Sequence, residues 1–198
     1  MQNSTSKVRV LTGTAMLGAV AAVLMYLEFP IPIMPAFVKL DVSELPALIA
    51  SFAYGPVSGI LVCLIKNLIK LPSTSTAAVG ELFNFVMGAL FVGVAGLIYK
   101  RNKTRKGAIV GALLGALVMA VVSVPYNYFI VYPAYVVMYH LPLDAIIGMY
   151  QAINPNVTGL LACLLVFNLP FTFVKGALDA VLCFLVDKPL SPILHGRK

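Results

Sequence analysis

The sequence predicts an all-α membrane protein: a single transmembrane domain over residues 1–198, built as a six-transmembrane-helix bundle with cytoplasmic N- and C-termini. Two observations carry that expectation. The chain is 61% hydrophobic and only 11% charged, whereas a soluble domain is about half apolar and about a quarter charged. Its apolar residues also fall in runs that, at ~1.5 Å per residue, can cross ~30 Å of hydrocarbon. The net charge of +7 does not point to nucleic acid, because the cations cluster between apolar runs as membrane topology requires. Cys63, Cys163 and Cys183 lie inside apolar segments and read as small packing residues, not as disulfide or metal ligands.

The first segment runs from about Val8 to Leu27. Lys7 and Arg9 precede it and Ala19-Val20-Ala21 looks like a cleavage site, but apolar sequence continues past that point, which favours a retained helix. Tyr26–Pro46 follows, with Pro30, Pro32, Pro35 and Pro46 and the charges Lys39, Asp41 and Glu44. Proline fixes φ and removes a donor, so this is a stiff extended crossing, with Lys39 and Asp41 either lining a site beneath it or, the favoured reading, pairing to hold its shape. Leu45–Leu71 is broken by Tyr54-Gly55-Pro56, a turn signal that predicts two short helices. On the second of these, Lys66 and Lys70 flank Asn67 and are expected to extend outward.

Segment four spans about Val79 to Tyr99, after the polar run Pro72–Thr76. The basic run Lys100–Lys106 leads into segment five, Gly107 to about Val131. Tyr132–Thr158 is less regular and aromatic, which suits an interfacial loop or lid. Segment six, about Gly159 to Val186, contains Pro170. Charge fixes the count: with six crossings, or four plus a tight hairpin, the N-terminus, the 100–106 run and Lys188, Arg197 and Lys198 share the cytoplasmic side. The proline stretch, the Ser/Thr loop and 132–158 then face outward.

Small residues mark close helix contacts. Ala15 and Ala19, offset from Gly18 and Ala22, lie on segment one, and Gly107, Gly111 and Gly115 on segment five. Such spacing serves either packing within the bundle or docking of another protein, and spacing alone does not separate the two.

Polar groups at membrane depth need partners or a function. Asn168, Thr172, Lys175 and Asp179 recur at steps of four, three and four, one face of segment six. Their bland reading is a self-neutralising Lys175–Asp179 pair; the sharper one is a substrate path. Glu81 and Asn84 share a face at the start of segment four, where a first-turn Glu also simply suits the helix dipole. Asn127 closes segment five amid tyrosines. With the outward orientation, these groups converge beneath the proline stretch as a pocket for a flat, mostly uncharged molecule with a hydrogen-bonding edge.

No phosphate loop, H-E-x-x-H or CxxC motif occurs, and His140 and His195 form no evident catalytic pair. The two halves show no inverted repeat. A capture subunit driven by partners therefore fits better than an enzyme acting on lipid or prenyl substrates, or than a self-powered secondary transporter.

The runs Phe29-Pro30-Ile31-Pro32, Phe37-Val38-Lys39-Leu40-Asp41, Leu45–Ile49, Tyr54-Gly55-Pro56 and Leu64–Leu68 closely resemble the riboflavin-specific substrate-binding subunits (S components) of energy-coupling factor (ECF) transporters. Gly80–Phe85, Asn127-Tyr128 and Leu169–Gly176 continue the resemblance over almost the whole chain. It implies a multi-pass subunit of the bacterial plasma membrane that binds riboflavin as cargo, with no cofactor. Its implied partners are a transmembrane coupling protein and two cytosolic ATPases. The resemblance carries the isoalloxazine contacts to Asn127, Thr172 and Lys175, places Leu40 among the ligand contacts, and assigns Ala15 and Ala19 to partner docking. Thr172 departs from a frequent Asn, for which Asn168 would compensate. Glu81 and Asn84 suit the ribityl hydroxyls by position. The same architecture with thiamine or a pterin-like ligand is the alternative.

Overall fold

A computed structural model describes residues 2–35, 37–74 and 76–195. Helix α1 (Gln2–Tyr26) leads into two short antiparallel strands, β1 (Phe29–Pro30) and β2 (Lys39–Leu40), in which Phe29 pairs with Leu40. Two-residue strands are what a proline-rich crossing permits, since each proline removes a ladder donor. Helix α2 (Glu44–Tyr54) begins inside the segment expected to be extended, and α3 (Pro56–Lys70) follows directly. Gly55 between them has φ +104°, a region that favours glycine, and Pro56 occupies the first turn of α3, where a missing N–H costs nothing.

Helices α4 (Val79–Arg101) and α5 (Arg105–Tyr126) form a hairpin around the basic turn. Lys100 and Arg101 occupy the last turn of α4, favoured by its dipole, and Thr104 caps α5 by accepting from the Gly107 N–H at 3.0 Å. A Cβ at Gly111 would stand 2.8 Å from the Ala95 carbonyl, and one at Gly115 would crowd the Phe91 carbonyl. The glycine ridge of α5 is therefore packed on α4 inside the bundle.

Two wide turns interrupt the helices. Helix α5 passes through a π-helical turn, Asn127–Val131, into α6 (Tyr132–Tyr139); after α7 (Leu143–Gln151), α8 (Leu160–Cys163) passes through a second, Leu164–Asn168, into α9 (Leu169–His195). Each is followed at once by an X-Pro pair, Tyr132-Pro133 and Leu169-Pro170. A proline ring clashes with the carbonyl four residues earlier, and widening the ladder relieves the clash.

Among the described residues, five helices are long and apolar enough to cross a membrane: Lys7–Tyr26, Pro56–Ser73, Val79–Arg101, Arg105–Tyr139 and Leu160–Val186. Helix α2 is not among them: it has only 11 residues, ~16 Å of helix, one of the two short helices expected in 45–71. Of the C-terminal cations used in the charge count, Arg197 and Lys198 lie outside the described residues. The main core joins α1 to α5 and α9 around Leu48, Val62, Phe91, Ala112 and Cys183, and a second cluster joins α6, α7 and α8 around Tyr132, Tyr150 and Leu164.

Candidate functional site

The first turns of α4 and the last turns of α5 lie at the end of the bundle away from the basic 100–106 turn, and a cavity opens there. Its volume is about 190 Å³. Glu81, Asn84, Asn127, Asn168, Thr172 and Lys175 all line it. The polar face expected on segment six is therefore brought together with those of segments four and five. Lys39 and Asp41 of the strand-bearing loop, and Phe37 before them, complete the rim.

Beside the cavity lies a buried charge cluster. Lys175 Nζ donates to Asp41 Oδ2 at 2.8 Å and stands 3.2 Å from Glu44 Oε2. Lys66, fully buried, donates to Glu44 Oε1 at 2.6 Å and to Ser43 Oγ. Asp41 Oδ1 accepts from the Ser43 N–H at 2.9 Å and also from its hydroxyl, a local turn that launches α2. Burial pushes the Asp41 carboxyl up, but the charges of Lys175 and Lys66, with hydrogen bonds from Lys175 and Ser43, outweigh it and hold the group well below the usual carboxylate range. The cluster ties the loop and the start of α2 to α3 and α9.

This arrangement corrects several expectations. Lys39 pairs with Glu28 at 2.8 Å, not with Asp41. Lys175 turns to Asp41 and Glu44, and both oxygens of the fully buried Asp179 lack a hydrogen-bond partner among the described residues. Lys66 and Lys70 do not extend outward; Lys70 reaches Glu28 at 3.2 Å and lies over the Tyr26 ring. Leu40 does not line this cavity; it lines a separate apolar hollow with Met34, Phe167 and Pro170.

Glu81 is buried, not solvated. Thr74 and Thr76 hydroxyls both donate to its Oε2, at 2.7 and 2.8 Å. The loop that supplies them passes through Ala77 and Ala78 in the left-handed region, φ 48° and 68°, a strained conformation for residues with a Cβ. Among the described residues Asn84 Oδ1 takes only a long contact, 3.5 Å, from Asn67. Among the described residues the Asn127 amide and the Thr172 hydroxyl make no side-chain hydrogen bond, although both residues are buried. Buried polar groups without protein partners facing a cavity are the groups a ligand satisfies.

Sequence reasoning missed Tyr132 and Tyr150. Both are buried and hydrogen-bonded to each other and to Asn168. A run of aromatics between helices carried no spacing that would single them out. Glu44 and Lys66 did carry a signal: two opposite charges on short apolar helices, each requiring a partner.

Ala15 and Ala19 are exposed on α1, while Gly18 and Ala22 are buried, so the small-residue face divides between the outside of the bundle and its interior. Gly18 abuts Ile65 of α3.

A family model described as the substrate-specific component of ECF transporters matches residues 9–186. The riboflavin transporter RibU of Staphylococcus aureus (strain TCH60) is 33% identical over 181 residues, 91% of this chain and 89% of that protein. The riboflavin transporter FmnP of Bacillus subtilis (strain 168) is 34% identical over 195 residues, 97% of each. A solved structure of the S component of a bacterial ECF transporter superposes with a TM-score of 0.73 at 32% identity, covering 98% of this chain and 99% of that one. With its apolar helices, the match identifies a multi-pass protein of the bacterial cell membrane. The chain belongs to the substrate-specific components of ECF transporters.

Proposed function

We propose that the chain is the riboflavin-binding S component of an ECF transporter, capturing the vitamin from outside the cell and delivering it inward with an energising module. The observation that carries this reading is the convergence of Glu81, Asn84, Asn127, Asn168, Thr172 and Lys175 on one cavity, in a chain whose relatives are riboflavin transporters. Asn127, Thr172 and Lys175 take the isoalloxazine edge. Asn168 adds an amide beside Thr172, and Glu81 and Asn84 take the ribityl hydroxyls. Leu40, between the cavity-lining Lys39 and Asp41, is the remaining contact assigned to the strand-bearing loop. Riboflavin is cargo, and no cofactor takes part.

The whole chain acts as one transmembrane unit without an ATPase of its own. Its partners are a transmembrane coupling protein and two cytosolic ATPases, the coupling protein docking on the exposed Ala15–Ala19 face. We assign six crossings, with α2 as a short one and both termini cytoplasmic. The basic 100–106 turn lies at the bundle end opposite the cavity, which supports an outward cavity.

Purified protein tests the reading. It is expected to copurify with a yellow chromophore or to quench flavin fluorescence at nanomolar to micromolar levels. A folded, detergent-stable sample that does neither, or one from which thiamine displaces flavin at equal concentration, would refute riboflavin as the ligand.

A further inference from the structure

We propose that Tyr150, which does not line the cavity, is a positioning residue for the ligand: it orients the Asn168 amide so that an N–H faces the cavity.

Tyr150 lies on α7, in the segment between α6 and α8, and is fully buried. Its hydroxyl donates to Asn168 Oδ1 at 2.7 Å, Asn168 Nδ2 donates to the Tyr132 hydroxyl at 3.4 Å, and the Tyr132 and Tyr150 hydroxyls are hydrogen-bonded. The three groups close a ring in which each hydroxyl donates once and accepts once. Asparagine's two terminal atoms have nearly the same shape, so only surrounding donors and acceptors decide which way the amide lies. A phenol at Oδ1 settles it. With Oδ1 taken by Tyr150 and one Nδ2 hydrogen by Tyr132, the second Nδ2 hydrogen remains. Asn168 and Tyr132 line the cavity, so that hydrogen suits a carbonyl oxygen on the edge of a planar ligand.

Burial and the neighbouring Tyr132 phenol push the Tyr150 phenol well above its ordinary value, so it stays a donor at physiological pH. Phe37 of the strand-bearing loop meets the Tyr132 and Tyr150 rings edge-on, at 6.4 and 6.2 Å between centroids. The loop over the cavity thus rests on the same unit that orients the amide.

This proposal rests on the flavin reading of the cavity, and the experiment separates the two. Riboflavin is titrated into full-length wild type, Tyr150→Phe and Asn168→Asp, following flavin fluorescence, the near-ultraviolet absorption of bound flavin and thermal unfolding. That absorption responds to donors at the ring carbonyls, which a merely structural role for Tyr150 would leave alone. Tyr150→Phe is expected to bind about tenfold more weakly, the scale of one hydrogen bond, with a shifted band. Unchanged affinity and an unchanged band overturn the proposal. If Tyr150→Phe does not fold, Asn168→Asp decides, because it keeps the acceptor for Tyr150 and loses the donor: weaker binding with the band shift supports the proposal, and wild-type binding overturns it. A wild type that leaves flavin fluorescence unchanged sinks the flavin reading itself, and this proposal with it.

Discussion

Lys175 and Asp41 are 134 residues apart in the chain and 2.8 Å apart in the fold. Glu44 lies between Lys175 and Lys66, so removing the Lys175 charge leaves two carboxylates facing one ammonium. Breaking a buried pair from one side costs about 3–5 kcal/mol. Lys175→Met is expected to lower the unfolding temperature in detergent and to weaken riboflavin binding, and adding Asp41→Asn is expected to recover part of the lost stability. An unfolding midpoint of Lys175→Met equal to wild type would show that the cluster holds nothing together.

The same pair fixes a pH dependence. Asp41 has a depressed folded pKa, so its contribution is complete above the ordinary aspartate value of about 3.9 and is lost only as pH falls towards the lower folded value. The stability difference between wild type and Asp41→Asn should stay constant from about pH 8 to 5. A difference that shrinks within that window contradicts the assignment.

Asn127 is 5% exposed and lines the cavity. Its amide has no partner among the described residues, so Asn127→Ala removes no protein hydrogen bond. Riboflavin affinity is expected to fall about tenfold with little change in unfolding temperature. Retained affinity takes Asn127 out of the site.

Ala78 holds φ 68° at the entry to α4. Glycine adopts this conformation freely, and an L-residue pays about 1–2 kcal/mol there. Glycine also loses more entropy on folding, so Ala78→Gly is expected to gain a net ~0.5–1 kcal/mol. Chemical denaturation in mixed micelles reads that gain, and a loss of stability would mean that the Ala78 methyl contributes packing worth more than the strain.

Ala15 is exposed on α1. A tryptophan there leaves the cavity untouched but blocks close approach of another helix. Ala15→Trp should abolish uptake by the assembled transporter while riboflavin binding to the isolated subunit persists. Normal uptake would move the docking face elsewhere.

Much of this architecture could be read from the residues, because apolar run length, Gly55-Pro56 and the basic clusters each act locally. The cavity side chains were legible for a related reason: a helix repeats every three to four residues, so Asn168, Thr172 and Lys175 had to share a face. Pairings between elements were less legible. Lys39 had an acid two residues away yet pairs with Glu28, because β1 and β2 run antiparallel and bring that side chain back. Lys66 looked free to extend outward only while Glu44 was read as loop; once α2 begins at Glu44, the carboxylate lies against α3. Tyr132 and Tyr150 are joined only by tertiary structure.

The two π-helical turns make the cavity wall depend on chain length as much as on side-chain identity. Each fits one extra residue into a helical turn, and one residue subtends about 100°. Asn127 opens the first and Asn168 closes the second. Deleting a single residue from either would restore a regular ladder and swing the flanking segment by more than a quarter turn, changing the helical phase between the cavity amides and the tyrosines behind them. Phe129, 72% exposed within the first turn, is therefore a position where replacement costs little and removal costs the wall.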